Sequence, residues 1–168
     1  VGLHDEQTYT TVRDIYTLTT YALKNETFKT VCETSRYTIE ATNKSAKRIL
    51  STTNFLQDPN TNYYYQYAKG VKTGYTDEAG RCLVSTASYN GYNYMCILMN
   101  CPPNADKRYE FLESANLYRW AFNNFSFKQV TTGIIIKDGA YADVDSGVIV
   151  GSGAKDNQKE GALGILME

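Results

Sequence analysis

The sequence predicts a mixed α/β fold: a mainly antiparallel sheet with helices on both faces. Three observations support this. In "RCLVSTASYNGYNYMCILMNC", residues 81–101, Asn90-Gly91 separates two apolar runs, the strongest short signal for a β-hairpin. Residues 107–125 place Phe111, Leu112, Ala115, Tyr118, Phe122 and Phe125 on one helical stripe. Residues 10–24 space Val12, Ile15, Tyr16, Leu18 and Ala22 at roughly helical intervals.

The hairpin fixes its own register. With Asn90-Gly91 as the turn, Tyr89 faces Tyr92, Val84 faces Ile97 and Cys82 faces Met99. Leu83 then meets Leu98, and Ser85 meets Cys96. Both faces are largely apolar, so both need cover, and helices are the usual cover. Cys82 and Cys96 fall on opposite faces, which argues against a disulfide between them.

The remaining elements come in order. Thr11 with Asp14 forms a capping box for the first helix, with Asp in place of Glu. "NETFKTVC" reads as a short second helix and "SRYTIEAT" as a strand. "KSAKRILSTTNFLQDPNTN" reads mostly as connection, with Asp58-Pro59-Asn60 as a turn signal. Beyond residue 128 the texture changes. "QVTTGIIIKDG" reads as strand and turn, and the rest is glycine-rich. A domain boundary is therefore expected near residue 128, with residues 129–168 a β-rich tail or truncated second domain. The opening "VGLHDEQ" reads as internal to a longer chain.

Composition narrows the function. The 168 residues are 42% apolar and 21% charged, with a net charge of -1. No basic stripe marks a nucleic-acid partner, and no lysine-rich run marks a membrane surface. The 15 tyrosines suit half-buried strand positions. Cys32, Cys82, Cys96 and Cys101 form no CxxC pair, and His4 is the only histidine, so neither a zinc site nor another cofactor is expected.

The chemistry concentrates in "GVKTGYTDEAGRC", residues 70–82. A Lys-Thr-Gly triplet alone says little: K-[ST]-G arises by chance in about one chain in ten of this size. Its position beside the apolar hairpin says more. Gly74 lets a ligand's backbone approach the strand. Lys72 offers a positive charge and Thr73 a hydroxyl, which together suit a carboxylate.

"GVKTGYTDEAGRCLVSTAS" closely resembles the third motif region of the serine-type D-alanyl-D-alanine carboxypeptidases, the low-molecular-mass penicillin-binding proteins. "GLHDEQTYTTVRDIYTLTTYAL" is similar to the segment upstream of it, and "YRWAFNNF" to the helix that closes their catalytic domain. The resemblance covers about residues 1–128. It implies a transpeptidase-like α/β/α sandwich and three motifs in order: S-x-x-K, S-x-N and K-T-G. It implies that Lys72, Thr73 and Gly74 form the third catalytic motif, with Lys72 and Thr73 binding the terminal carboxylate of a peptidoglycan stem peptide ending D-Ala-D-Ala, and that β-lactams bind the same site. It assigns an oxyanion-hole donor to the Tyr75 backbone N–H, and a place lining the substrate strand to Thr76. The K-T-G flanks resemble a β-lactamase less.

The first two motifs are expected before Val1 and are not in this sequence. Ser152 to Lys155 spells S-x-x-K after the K-T-G. Ser88-Tyr89-Asn90 and Ser114-Ala115-Asn116 spell S-x-N, at a hairpin turn and inside a helix stripe. Order and context fail for all three. The expected parent is thus a secreted, extracytoplasmic carboxypeptidase of the bacterial envelope, with this chain an inactive fragment of it. The fragment would pair with the missing N-terminal half of the domain or self-associate through an exposed sheet edge. A non-catalytic cell-wall binding module on the same fold is the alternative. Arg108 approaches the carboxylate only if the spacing before the last helix allows it, and His4 reads as loop structure.

Overall fold

The computed structural model describes residues 4–125 and the strands Lys128–Val130, Gly133–Ile135, Tyr141–Asp143, Val148–Val150 and Leu163–Met167. Helices α1 (Val12–Leu23) and α2 (Glu26–Glu33) come first, then strands β1 (Arg36–Ile39) and β2 (Arg48–Ser51). A short 3-10 turn, Phe55–Gln57, leads into β3 (Ala68–Thr76), β4 (Gly80–Tyr89) and β5 (Tyr92–Cys101). Helix α3 (Tyr109–Asn124) and the five short strands, numbered β6 to β10 in chain order, complete the described chain.

The helix starts obey the local rules. The Thr11 hydroxyl accepts from the Asp14 N–H while the Asp14 carboxylate accepts from the Thr11 N–H, which satisfies donors the first turn leaves open. The Asn25 side chain caps α2 by accepting from the Phe28 N–H. The stripe on α1 runs a little differently from its prediction: Val12, Ile15, Tyr16 and Leu23 pack against the sheet, while Leu18 is 63% exposed. The stretch read as connection contains β2, which pairs antiparallel with β1.

The hairpin is as its sequence indicates. Asn90 and Gly91 both take positive φ, which turns the chain in the sense that matches strand twist. Leu83 pairs with Leu98, Val84 with Ile97, Ser85 with Cys96 and Tyr89 with Tyr92. The register fails at one place. It shifts between Arg81 and Leu83, so Arg81 faces Cys101 and the predicted pairing of Cys82 with Met99 is lost. An extra residue in one strand bends and twists it, and pattern alone does not reveal such a bulge.

Both faces are covered. On one, α3 lays Phe111, Ala115, Tyr118 and Ala121, with Phe125 just past its end, over Leu83, Ala87, Cys96 and Leu98. On the other, α1 packs on Met95 and Ile97, with Val84 and Met99 alongside. The Tyr118 phenol joins the layers: its oxygen lies 2.8 Å from the Ser85 hydroxyl and accepts from the Cys96 N–H at 3.2 Å. Burial pushes that phenol well above its ordinary pKa. Among the described strands the sheet order is β3-β4-β5-β10-β9-β8, all antiparallel, so β3 has one neighbour there and β5 has two. The four cysteines are free thiols.

Candidate active-site strand

Residues 70–76 lie on β3, at the edge of the described sheet. β4 holds one side of the strand from Gly70 to Thr76, with Lys72 opposite Val84, Thr73 opposite Leu83 and Gly74 opposite Cys82. An edge strand leaves every other backbone N–H and C=O pointing away from its sheet, where a ligand can take them up.

Side chains alternate across a strand, and paired residues share a face. Lys72 therefore belongs to the face of Val84, under α1, and Thr73 to the face of Leu83, under α3. The two cannot converge over either face. They converge only beyond the edge, so a carboxylate meeting both would sit alongside the strand.

Lys72 is exposed, and its ammonium donates to the Thr73 carbonyl at 2.6 Å. An ammonium has three N–H donors, so that bond leaves two for an anion. The Thr73 hydroxyl lies 2.6 Å from the Thr53 hydroxyl. Thr53 and its neighbour Asn54 were not singled out by sequence, because they lie in a stretch read as connection. Asn54 is fully buried. Its amide donates to the Gly70 carbonyl at 2.9 Å, and its side-chain oxygen accepts from the Leu56 N–H. The 3-10 turn is thereby tied to the start of β3, which brings Thr53 to Thr73. The signal available was an Asn just before an apolar pair, a pattern that caps helical turns.

Gly74 is exposed, and a Cβ built there would meet only the Cys82 Cβ, at 3.9 Å. Internal packing therefore does not demand glycine at 74. Gly80, at the start of β4, is the contrast. Its φ is +64°, and a Cβ would lie 2.7 Å from Asn100 Oδ1 and 2.9 Å from the Cys101 carbonyl.

The Tyr75 side chain turns away along the turn. Its hydroxyl donates to Asp77 at 2.5 Å, which raises the phenol's pKa, and the Arg81 guanidinium sits 5.0 Å from its ring centre. The Thr76 hydroxyl accepts from the Ala79 N–H at 3.0 Å and so helps close the β3–β4 turn.

The remaining candidates are accounted for by contacts elsewhere. Arg108 pairs with the buried Glu110 carboxylate at 2.6 Å and lies over the Phe55 and Phe111 rings, so it serves the start of α3 and not β3. Ser114 is fully buried and donates to the Glu110 carbonyl. Ser88 bonds Asn93 across the hairpin end. His4 Nδ1 stands 3.8 Å from Glu78. Ser152 and Lys155 lie outside the described residues.

With the strand's geometry established, comparison with known proteins decides the family. The sequence model of the D-alanyl-D-alanine carboxypeptidases, peptidase family S11, matches residues 1–103. The chain belongs to the D-alanyl-D-alanine carboxypeptidase family. A curated member from Streptomyces sp. (strain K15) is 36% identical over 94 residues, which are 54% of this chain and 31% of that protein. A serine-to-alanine variant of the DD-transpeptidase from the same Streptomyces is similar in structure, with a TM-score of 0.57 at 27% identity. The match covers 71% of this chain and 45% of that one. Penicillin-binding protein D2 of Listeria monocytogenes, solved with cefotaxime bound, gives a TM-score of 0.52 at 27% identity over the same shares. A peptidoglycan synthesis regulatory factor of Streptococcus pneumoniae covers 95% of the chain and 55% of its own length, with a TM-score of 0.63; at 14% identity it shows the fold alone. The chain thus spans about a third of its curated carboxypeptidase relative.

Proposed function

We propose that this chain supplies the carboxylate-binding wall of a serine-type D-Ala-D-Ala carboxypeptidase. The observation that carries the reading is the Lys72-Thr73-Gly74 triplet on an exposed edge strand, at a glycine its own packing does not require. A peptide chain laid along β3 would place its terminal carboxylate beside the strand, between the Lys72 ammonium and the Thr73 hydroxyl. The Thr53 hydroxyl would orient the latter. The Tyr75 backbone N–H would donate to the oxygen of the scissile carbonyl as it becomes an oxyanion, and Thr76 would border the same groove.

The nucleophile belongs to the S-x-x-K motif, which does not occur between residue 1 and the K-T-G. In a complete enzyme that serine attacks the penultimate D-Ala carbonyl, its proton passes to the motif's lysine, and the terminal D-Ala leaves with a proton. Water then hydrolyses the acyl-serine ester. β-Lactams acylate the same serine on this reading, in keeping with the cefotaxime- and ampicillin-bound Listeria relatives. Such an enzyme works outside the cytoplasmic membrane, where peptidoglycan lies. Residues 1–128 then belong to the catalytic domain, and strands β8 to β10, from residues 129–168, extend the same sheet beside β5. The chain alone turns over nothing.

Intact-mass measurement after incubation with a penicillin tests this. No adduct is expected on the 168-residue chain. A chain extended upstream through the serine motifs should gain one. In that longer protein Lys72→Ala should slow acylation by about 100-fold, the usual cost of a lost transition-state contact. Unchanged acylation would remove Lys72 from the site. The other reading is a cell-wall binding module of the same fold without chemistry. An extended chain that binds stem peptide yet never acylates would establish it.

A further inference from the structure

A second cleft lies away from Lys72, on the α3 side of the sheet at the hairpin end. It encloses about 490 Å³ between the segment 64–67, the end of β4 and α3. That is the size range of small-ligand sites. Its floor is aromatic. The Tyr67 and Tyr89 ring centres are 4.4 Å apart, and both rings meet Phe122, at 6.2 Å and 5.5 Å. Tyr64 and Tyr89 remain 46% and 38% exposed. A packed network of rings thus leaves aromatic surface facing water.

The rim is polar and nearly uncharged. Gln66 and Asn123 are exposed lining residues, and neither side chain has a hydrogen-bond partner among the described residues. The hydroxyls of Tyr64, Tyr67 and Tyr89 are likewise unpaired there. Arg119 is the one cation among the described lining residues. It is partly occupied, 3.1 Å from Asn116 Oδ1 and 5.4 Å from the Tyr65 ring centre. No carboxylate lines the cleft among the described residues.

The ligand these features select has an apolar face, many hydroxyls and little charge. A pyranose ring fits that description. Its axial C–H groups pack on an aromatic face, and its equatorial hydroxyls pair with planar amides and phenols. Single-stranded nucleic acid also stacks on aromatic rings, but its phosphates call for a groove of several cations. We infer that this cleft is a glycan-binding subsite, taking β-linked N-acetylhexosamine units of the polymer that carries the stem peptide. The identity of the sugar rests on the carboxypeptidase reading; the saccharide chemistry of the cleft does not.

The test is an NMR titration of the whole 168-residue chain with chitotetraose. Saturable shifts confined to residues around Tyr64, Tyr89 and Asn123 are expected, at affinities near millimolar. Tyr64→Ala removes an exposed ring and should weaken binding about fivefold. Asn123→Ala should weaken it less, and thermal unfolding of both variants should match the parent chain. Lys72→Ala should leave the titration unchanged, which separates this proposal from the carboxylate wall. If penicillin acylation of the extended protein fails while chitotetraose still binds at the cleft, the carboxypeptidase reading falls and the cleft stands. No shifts up to about 10 mM, shifts unaffected by Tyr64→Ala, or tighter binding of a thymidine oligonucleotide would overturn it.

Discussion

β3 and the β4–β5 hairpin belong to one sheet yet differ in nearly every respect that decides what a residue can do. The hairpin has a strand on each side and helices on both faces, and Leu83, Ala87, Cys96 and Ile97 are buried in it. β3 has one neighbour among the described strands, and Lys72, Gly74 and Tyr75 are exposed along it. Where each side chain has many partners, the partners dictate its identity. Where it has few, its identity is free to serve a ligand. The same residue type therefore carries opposite meanings in the two places. Gly80 is glycine because its backbone and crowding forbid a Cβ, whereas Gly74 has room for one.

Substitutions should expose that difference. The largest loss is expected in the hairpin core, where Leu83→Ala should cost about 2–5 kcal/mol of stability, read as a lower denaturation midpoint in urea. Gly80→Ala should come next at about 1–3 kcal/mol, since it combines positive φ with contact under 3 Å to Asn100 and Cys101. Gly74→Ala and Lys72→Ala should each change stability by under about 0.5 kcal/mol in the same titration. A large loss at Gly74 would mean that packing, and not ligand access, fixes the glycine.

Alkaline pH gives a graded version of the comparison. Burial raises the Cys96 thiol from 9.0 to about 12 and the Tyr94 phenol from 10.0 to about 12. A group whose pKa is higher folded than unfolded favours the folded state fully below the unfolded value. Its contribution then falls as pH rises through the folded one. Stability should therefore decline from about pH 9 upward, and Cys96 should resist alkylation until the chain unfolds. Rapid modification of Cys96 at pH 8 in the folded chain would contradict its burial. The smallest effect should be at the edge. Thr53→Val removes the bond to Thr73 and, Thr53 being exposed and the bond lying at the surface, should cost only a few tenths of a kcal/mol.

The hairpin was legible in the sequence because a two-residue turn and a period of two determine a register without reference to anything distant. That reading holds from Leu83 to Tyr92 and stops at Cys82, where a bulge adds a residue that no periodicity announces. Helix positions were legible for the same local reason, through the Thr11 capping box, the segment 25–32 and the α3 stripe. What could not be read were contacts between residues far apart in the chain. Thr53 reaches Thr73 across 20 residues, and the Arg108 N–H donates to the Tyr63 hydroxyl across 45. The K-T-G letters marked a strand, but only the sheet order put that strand at an edge, and the edge is what makes it approachable.

The phenol of Tyr118 has a bearing on the order in which this chain acquires its shape. β4 and β5 have apolar residues on both faces, so a pairing slipped by two positions would still bury oil against oil. The hydroxyl of Tyr118 distinguishes the correct pairing, because it meets the Cys96 amide and the Ser85 hydroxyl only when those two residues stand opposite each other. Cys96 lies 22 residues ahead of Tyr118. During synthesis every residue of the hairpin is therefore added before the group that checks its pairing. The Asn90-Gly91 turn sets the alignment first and docking of α3 then locks it, so Tyr118→Phe should let the paired strands open more readily, read as faster amide exchange at Cys96.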